Sequence, residues 1–190
     1  MHHYAKTIAF ATLGQIELAE QERDKFYKTF ANVPSDRRFF NNVARDLLGV
    51  AEKMLEGELA YHKGDFDVAY DHLRASVHRN DNLEYTEPWA WMHPPRHALG
   101  ALLMEQGHYI EAENVYRADL GLNDDLSRCL QHHDNVWALH GIVECLNKRN
   151  ETIELPNLVK KLEIAMSKTD IPITSSCCCR KKTVKINCCG

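Results

Sequence analysis

A pattern of small and aromatic residues occurs twice in this sequence, 43 residues apart, and it limits the folds that the chain can adopt. Five pairs of small or aromatic positions share the offset: Gly57 and Gly100, Gly64 and Gly107, Phe66 and Tyr109, Ala69 and Ala112, and Leu73 and Tyr116. Weaker copies surround Gly14 and Gly141 at offsets of 50 and 41. Such self-similarity indicates helix pairs, each of which must stack on its neighbours to bury its apolar face.

The pattern of apolar residues predicts an all-α protein. These residues recur three and four positions apart between single glycines, which is typical of amphipathic helices joined by turns. We expect helices over residues 3–13, 15–31, 36–63, 65–79, 94–106, 109–120, 134–149 and 156–168. Gly57 and Gly100 should let two helices approach closely, and Gly64 and Gly107 should permit tight turns.

The C-terminal residues differ from the rest of the chain. Of the seven cysteines, five lie in residues 177–190, together with four of the 23 basic residues and no acidic residue. We therefore expect a helical repeat domain over residues 1–174 and a disordered, Cys-rich basic tail over residues 175–190. The tail cysteines beside Arg180, Lys181 and Lys182 leave two alternatives open, a zinc site or acylation with weak membrane tethering.

Charge and cysteine usage limit the function classes. Residues 1–176 carry a net charge of −8, which disfavours nucleic-acid binding because that affinity depends on neutralising phosphates. An odd cysteine count with only Cys129 and Cys145 outside the tail predicts reduced thiols and a cytoplasmic location. No run approaches the roughly 20 apolar residues that a membrane-spanning helix needs.

The repeated residues resemble the tetratricopeptide repeat (TPR). The best copy is Leu99-Gly100-x2-Leu103, followed by Gly107, Tyr109 and Ala112-x3-Tyr116. The stretches EPWAWMHPPRHALGALLMEQG and NVWALHG are also similar to the C-terminal part of longer, mainly uncharacterised TPR proteins. The resemblance implies a right-handed α-α superhelix of about four antiparallel helix pairs.

The resemblance also implies that ligands lie along the first helix of each pair. That face would carry these side chains: Met54, Glu58, Tyr61, His62, His97, Ala101, Met104, Glu105, Ala138, Ile142 and Cys145. The Lys, Arg and Asn residues with which some TPR domains clamp a C-terminal carboxylate are missing from these positions. A mixed apolar and acidic groove instead suits a helix or a basic-flanked peptide.

The insert between residues 81 and 97 adds two tryptophans to a proline-bounded connection. Its tryptophans either pack down as a plug or form the rim of the binding face, where Trp, Tyr and Arg are typical contact residues. The partner-binding residues that we predict are Tyr61, His62, Trp89, Trp91, Arg96, His97 and Met104. The first helix has Tyr4, Ile8 and Phe10 on one face, which allows self-association.

Histidines give the main alternative hypothesis. His93, His97, His132 and His133 would be the ligands of a metal-binding protein or metal-dependent enzyme. However, two prolines separate the first pair, and no HExxH motif is present. Cys145 lies five residues after His140, so the two do not share a helix face, and no P-loop, GxGxxG or GxSxG motif occurs. We therefore predict a non-enzymatic protein–protein interaction module, with no catalytic residue, no metal and no cofactor, that binds a protein or peptide partner.

Overall fold

The computed structural model describes residues 1–180, and these residues form an all-α fold. Its helices are α1 (His2–Thr12), α2 (Ile16–Ala31), α3 (Ala44–Lys63), α4 (Phe66–Asp81), α5 (Pro95–Glu105), α6 (Tyr109–Leu120), α7 (Val136–Arg149) and α8 (Leu155–Met166). A 3-10 turn spans Arg128–Leu130. The predicted helices match these bounds closely, except for the third.

The predicted helix over 36–63 was wrong at its start, because α3 begins at Ala44. The preceding residues form two short antiparallel strands, β1 (Arg38–Phe39) and β2 (Asn42–Val43). The side chain of Asn42 donates to the carbonyl of Glu84 at 2.9 Å and accepts from the amide of Glu84 at 2.8 Å. This pair of hydrogen bonds holds the hairpin against the residues that follow α4, a contact that helical periodicity cannot reveal.

The repeated glycines serve the close approach that the sequence predicts. A Cβ atom on Gly57 would lie 2.7 Å from Cγ of Leu73, and one on Gly100 would lie 2.5 Å from Cζ of Tyr116. The same contact between a helix and the next one therefore recurs at both positions of the 43-residue offset. Gly64 ends α3 in the left-handed conformation, with φ of 90°, which a residue without Cβ adopts at little cost.

Each helix packs on the next one in sequence, and α1 also contacts α3 while α5 contacts α7. The interior between them is filled by large side chains such as Met54, Leu55, Leu103, Tyr116 and Ile142. Burial of this apolar area supplies the main driving force for folding. No helix within residues 1–180 combines the length and apolar character needed to cross a membrane.

The first helix is partly covered. The ring of Tyr4 packs edge-on against Trp91 with centroids 5.7 Å apart, and its hydroxyl donates to the sulfur of Met54. Ile8 and Phe10 are half-buried. Self-association through this face stays a prediction, although Tyr4 is not available to it.

Candidate functional site

The C-terminal segment Ser175–Arg180, which we call the CxC segment, lies against the helices. Ser176, Cys177 and Cys179 are buried, whereas Cys178 is exposed. The segment has no regular secondary structure. The disordered tail over residues 175–190 stays a prediction: residues 175–180 lie against the helices, and residues 181–190 lie outside the described part of the chain.

Side chains on α6 and α7 fix the two ends of the CxC segment. The hydroxyl of Tyr116 donates to Oγ of Ser176 at 2.6 Å. The guanidinium of Arg180 donates to both carboxylate oxygens of Glu144, at 2.5 and 3.0 Å, and lies 3.9 Å from Glu105. A bidentate pair of this kind has a fixed geometry and is stronger than a single neutral hydrogen bond.

Between these anchors lies a cluster of ionisable groups, the thiol cluster, made of Cys177, Cys179, His93 and Glu58. Sγ of Cys177 is 3.8 Å from Nε2 of His93 and accepts the backbone N–H of Cys179 at 3.2 Å. His93 is placed by the turn that opens α5, where Pro94 and Pro95 begin the helix, and it remains exposed to solvent.

These contacts shift the pKa values of the two thiols in opposite directions. The hydrogen bond from Cys179, together with the contact with His93, lowers the pKa of the Cys177 thiol well below its usual range, although burial opposes the shift. Burial raises the pKa of the Cys179 thiol well above its usual range. The contact with Cys177 raises the pKa of His93. These shifts favour the thiolate form of Cys177 and the protonated form of His93, and they disfavour ionisation of the Cys179 thiol.

Glu58 lies beneath this cluster in α3. It is 1% exposed, and its Oε2 has no hydrogen-bond partner among residues 1–180. Burial, reinforced by the charge of Cys177, raises the pKa of Glu58 to about 8. The carboxyl group is therefore neutral at physiological pH and does not repel the thiolate.

A cavity of about 250 Å³ adjoins the thiol cluster. Its lining includes Trp89, His93, Trp137, Ser176, Cys177 and Cys178. Three segments that are distant in sequence meet here: the insert after α4, the start of α7 and the CxC segment. Cys177 is one of the lining residues, although it is 2% exposed as a whole.

A second buried polar group stands behind the cavity. Asp119, which is fully buried, accepts hydrogen bonds from His97 at 2.9 Å and from His132 at 2.8 Å. Burial alone would raise the pKa of Asp119, but the hydrogen bonds from the two histidines outweigh it and lower the pKa to about 2. The ring of His132 packs edge-on against Trp89, with centroids 4.2 Å apart. These contacts connect the loop that carries His132, and through it the loop that carries Trp89, to α6.

The predicted partner-binding residues are dispersed. Tyr61 donates to Glu105 at 2.7 Å, and His62 contacts Thr12 at 3.3 Å. Arg96 donates to both oxygens of Asp81, at 2.5 and 2.7 Å. Most of the set therefore makes contacts inside the domain, and a partner-binding role for it stays a prediction.

The other four residues of the predicted set differ in exposure. Trp91 and His97 are buried, whereas Trp89 is 41% exposed. Met104 is buried and accepts the thiol of Cys145 at 3.0 Å. Of the seven residues, Trp89 is the one that reaches solvent at the cavity.

The histidines of the metal hypothesis have other partners. His97 and His132 bind Asp119, His93 faces Cys177, and Nδ1 of His133 lies 3.2 Å from the carbonyl of Leu120. Within residues 1–180, no three His, Cys, Asp or Glu side chains converge as metal ligands would. The four histidines are therefore not arranged as a ligand set.

The sequence does not predict that the members of the thiol cluster meet. It offers the tail cysteines as a zinc alternative, His93 as a metal ligand and Glu58 as a residue of the binding groove. The useful signal was Glu58 itself, an acidic residue inside the apolar stripe Met54, Leu55 and Tyr61. A carboxyl at a core position requires either a partner or an altered pKa.

Comparisons with known proteins add no relatives. No family model matches the chain, and neither the curated proteins nor the solved structures contain a significant match. The TPR resemblance therefore stays a prediction that rests on the repeated residues.

Proposed function

We propose that this chain is a non-enzymatic interaction module, a TPR-like right-handed superhelix of about four helix pairs that binds a peptide along one face. The packing of each helix on the next and the contacts of α1 with α3 and of α5 with α7 support this arrangement. The recurrence of the glycine contact at Gly57 and Gly100 supports it further. We place the protein in the cytoplasm on the basis of its cysteine pattern.

The observation that carries the proposal is the CxC segment itself. An irregular stretch of six residues is held by Tyr116 at one end and by Glu144 and Glu105 at the other. This is how a peptide ligand is bound, with a few polar anchors fixing its register and small side chains filling the space between them. The proposed partner therefore carries a hydroxyl residue, small residues and then an arginine.

The chain's own segment would compete with such a partner. Because it is tethered, its effective concentration is in the millimolar range, so a free peptide binds only when the segment is weakened. Arg180→Ala removes the bidentate anchor and should open the site. Arg128→Ala changes an exposed arginine outside the site and is the matched control.

The test measures fluorescence polarisation of a labelled peptide with the sequence of residues 173–180 and alanine in place of its cysteines. We expect the full-length Arg180→Ala protein to bind it at least about tenfold more tightly than the wild type or Arg128→Ala. Adding Glu144→Ala to Arg180→Ala should abolish binding, as should replacing the arginine of the peptide. No binding to Arg180→Ala at about 1 mM peptide would reject the proposal.

A further inference from the structure

We propose that Cys177 and Cys179 form a peroxide-reactive dithiol, in which Cys177 attacks a small hydroperoxide and Cys179 then closes a Cys177–Cys179 disulfide. The proposal rests on the arrangement of the thiol cluster and on the cavity beside it. It does not depend on peptide binding, and it adds an activity to the proposed interaction module.

The geometry selects Cys177 as the attacking sulfur. Its Sγ receives the amide of Cys179 at 3.2 Å and lies 3.8 Å from Nε2 of His93. Donors directed at a sulfur stabilise the thiolate, which is the nucleophilic form. Two other cysteines differ from Cys177: burial raises the pKa of Cys145 to about 12, and burial also raises the pKa of Cys178.

Cys179 is placed to resolve the oxidised sulfur. The backbone N–H of Cys179 donates to Sγ of Cys177 at 3.2 Å, so the two residues are already in contact. Burial raises the pKa of the Cys179 thiol, which therefore gives up its proton only as its sulfur attacks, since the thiolate is the nucleophile. Oxidant-sensing cysteines characteristically combine a thiolate with a second thiol close enough to form a disulfide. Cys178 lies between the two in sequence and is exposed, and burial raises the pKa of its thiol.

The cavity determines the class of oxidant. It has a volume of about 250 Å³ and is flanked by Trp89 and Trp137. A hydroperoxide presents only two oxygen atoms to the sulfur and fits such a space. A protein disulfide would have to approach a residue that is 2% exposed, and thiol–disulfide exchange depends on access to the attacking sulfur.

The chemistry balances with the groups present. As Cys177 attacks, a sulfur–oxygen bond forms and the oxygen–oxygen bond of the hydroperoxide breaks. The leaving alkoxide or hydroxide takes the proton held at Nε2 of His93. Cys179 then attacks the sulfenic sulfur: the disulfide bond forms, the sulfur–oxygen bond breaks, and the hydroxyl leaves as water with the Cys179 proton. The two sulfurs lose two electrons, which reduce the hydroperoxide to an alcohol, or water, and a second water.

The test uses reduced full-length protein with Cys188 and Cys189 changed to serine, so that these thiols do not compete. Equimolar hydrogen peroxide is added, and peptide mass spectrometry follows each cysteine with time. We expect a loss of about 2 Da in the peptide containing residues 177–179, unchanged by Cys178→Ser. In Cys179→Ser, dimedone should trap a sulfenic acid on Cys177.

Rates provide the sharper criterion. Cys177 should be oxidised at least about tenfold faster than the exposed Cys129, and His93→Gln should remove most of that advantage. His93 is exposed, so this variant should fold, which circular dichroism verifies, and His133→Gln is the matched control at an exposed histidine. The proposal is overturned if Cys177 reacts no faster than Cys129, or if the disulfide involves Cys178 instead.

Discussion

The buried carboxyl of Glu58 makes a quantitative prediction about stability. Replacing it by glutamine keeps the size of the side chain but removes the ionisable group. The folded protein holds Glu58 with a pKa of about 8, because burial disfavours its charged form, whereas the ordinary pKa of glutamate is 4.5. Folding above pH 4.5 must therefore place a proton on this group, and that requirement costs stability.

The size of the effect follows from the two pKa values. Each pH unit between 4.5 and 8 costs the wild type about 1.4 kcal/mol, and the cost becomes constant above pH 8. The contribution of Glu58 to the free energy of unfolding is thus fully present below pH 4.5 and is lost as the pH rises through 8. The quantity to compare is the difference in free energy of unfolding between Glu58→Gln and the wild type, set to zero near pH 4.5. This difference should reach about 3 kcal/mol at pH 7 and about 5 kcal/mol at pH 9, with Glu58→Gln the more stable protein.

The assay is urea denaturation of both proteins followed by circular dichroism from pH 4.5 to pH 9. A glutamine amide left without a partner would shift the whole difference by a constant of about 1–2 kcal/mol, so the slope with pH is the decisive quantity. Glu163→Gln, at an exposed position of α8, is the matched control and should change stability by less than about 0.5 kcal/mol. A difference between Glu58→Gln and wild type that does not vary with pH would refute the reasoning.

Three further experiments test other parts of the structure. Asp119→Asn should lower the free energy of unfolding by about 3 kcal/mol at pH 7 in urea titrations, because two buried histidines lose their charged partner; the wild type should lose this stabilisation as the pH falls from 3.8 towards 2. Gly57→Ala and Gly100→Ala should each cost about 1–3 kcal/mol in thermal melts, and unequal effects would argue against equivalent repeats. In a double-mutant cycle, Tyr116→Phe and Ser176→Ala should show a coupling of about 1 kcal/mol, and a coupling near zero would mean that their hydrogen bond does not anchor the CxC segment.

The helices could be predicted because their signals are local. The apolar spacing and the turn glycines are read from neighbouring residues, and Gly64 adopts the left-handed φ that its position requires. The hairpin at 38–43 could not be predicted in this way. It depends on hydrogen bonds between Asn42 and Glu84, which are 42 residues apart, and no periodic pattern encodes such a pairing.

The CxC segment was missed for a similar reason. Its composition, three cysteines followed by basic residues, has no helical or strand period, and such a stretch at a terminus is usually unstructured. It is ordered by side chains far away in sequence: His93 lies 84 residues from Cys177, and Tyr116 lies 60 residues from Ser176. Each member of the thiol cluster is visible in the sequence, but no local pattern shows that these residues lie close together in the fold.

Two long connections between helices explain where the site lies. Residues 82–94 join α4 to α5, and residues 121–135 join α6 to α7. The first connection supplies Trp89 and His93, and the second supplies His132, whose ring contacts Trp89. Regular helices that stack along their length leave little room for a cavity, since their facing side chains interdigitate. These two loops therefore contribute to the recess beside Cys177, in line with the general placement of binding and reactive groups on loops held by a rigid scaffold.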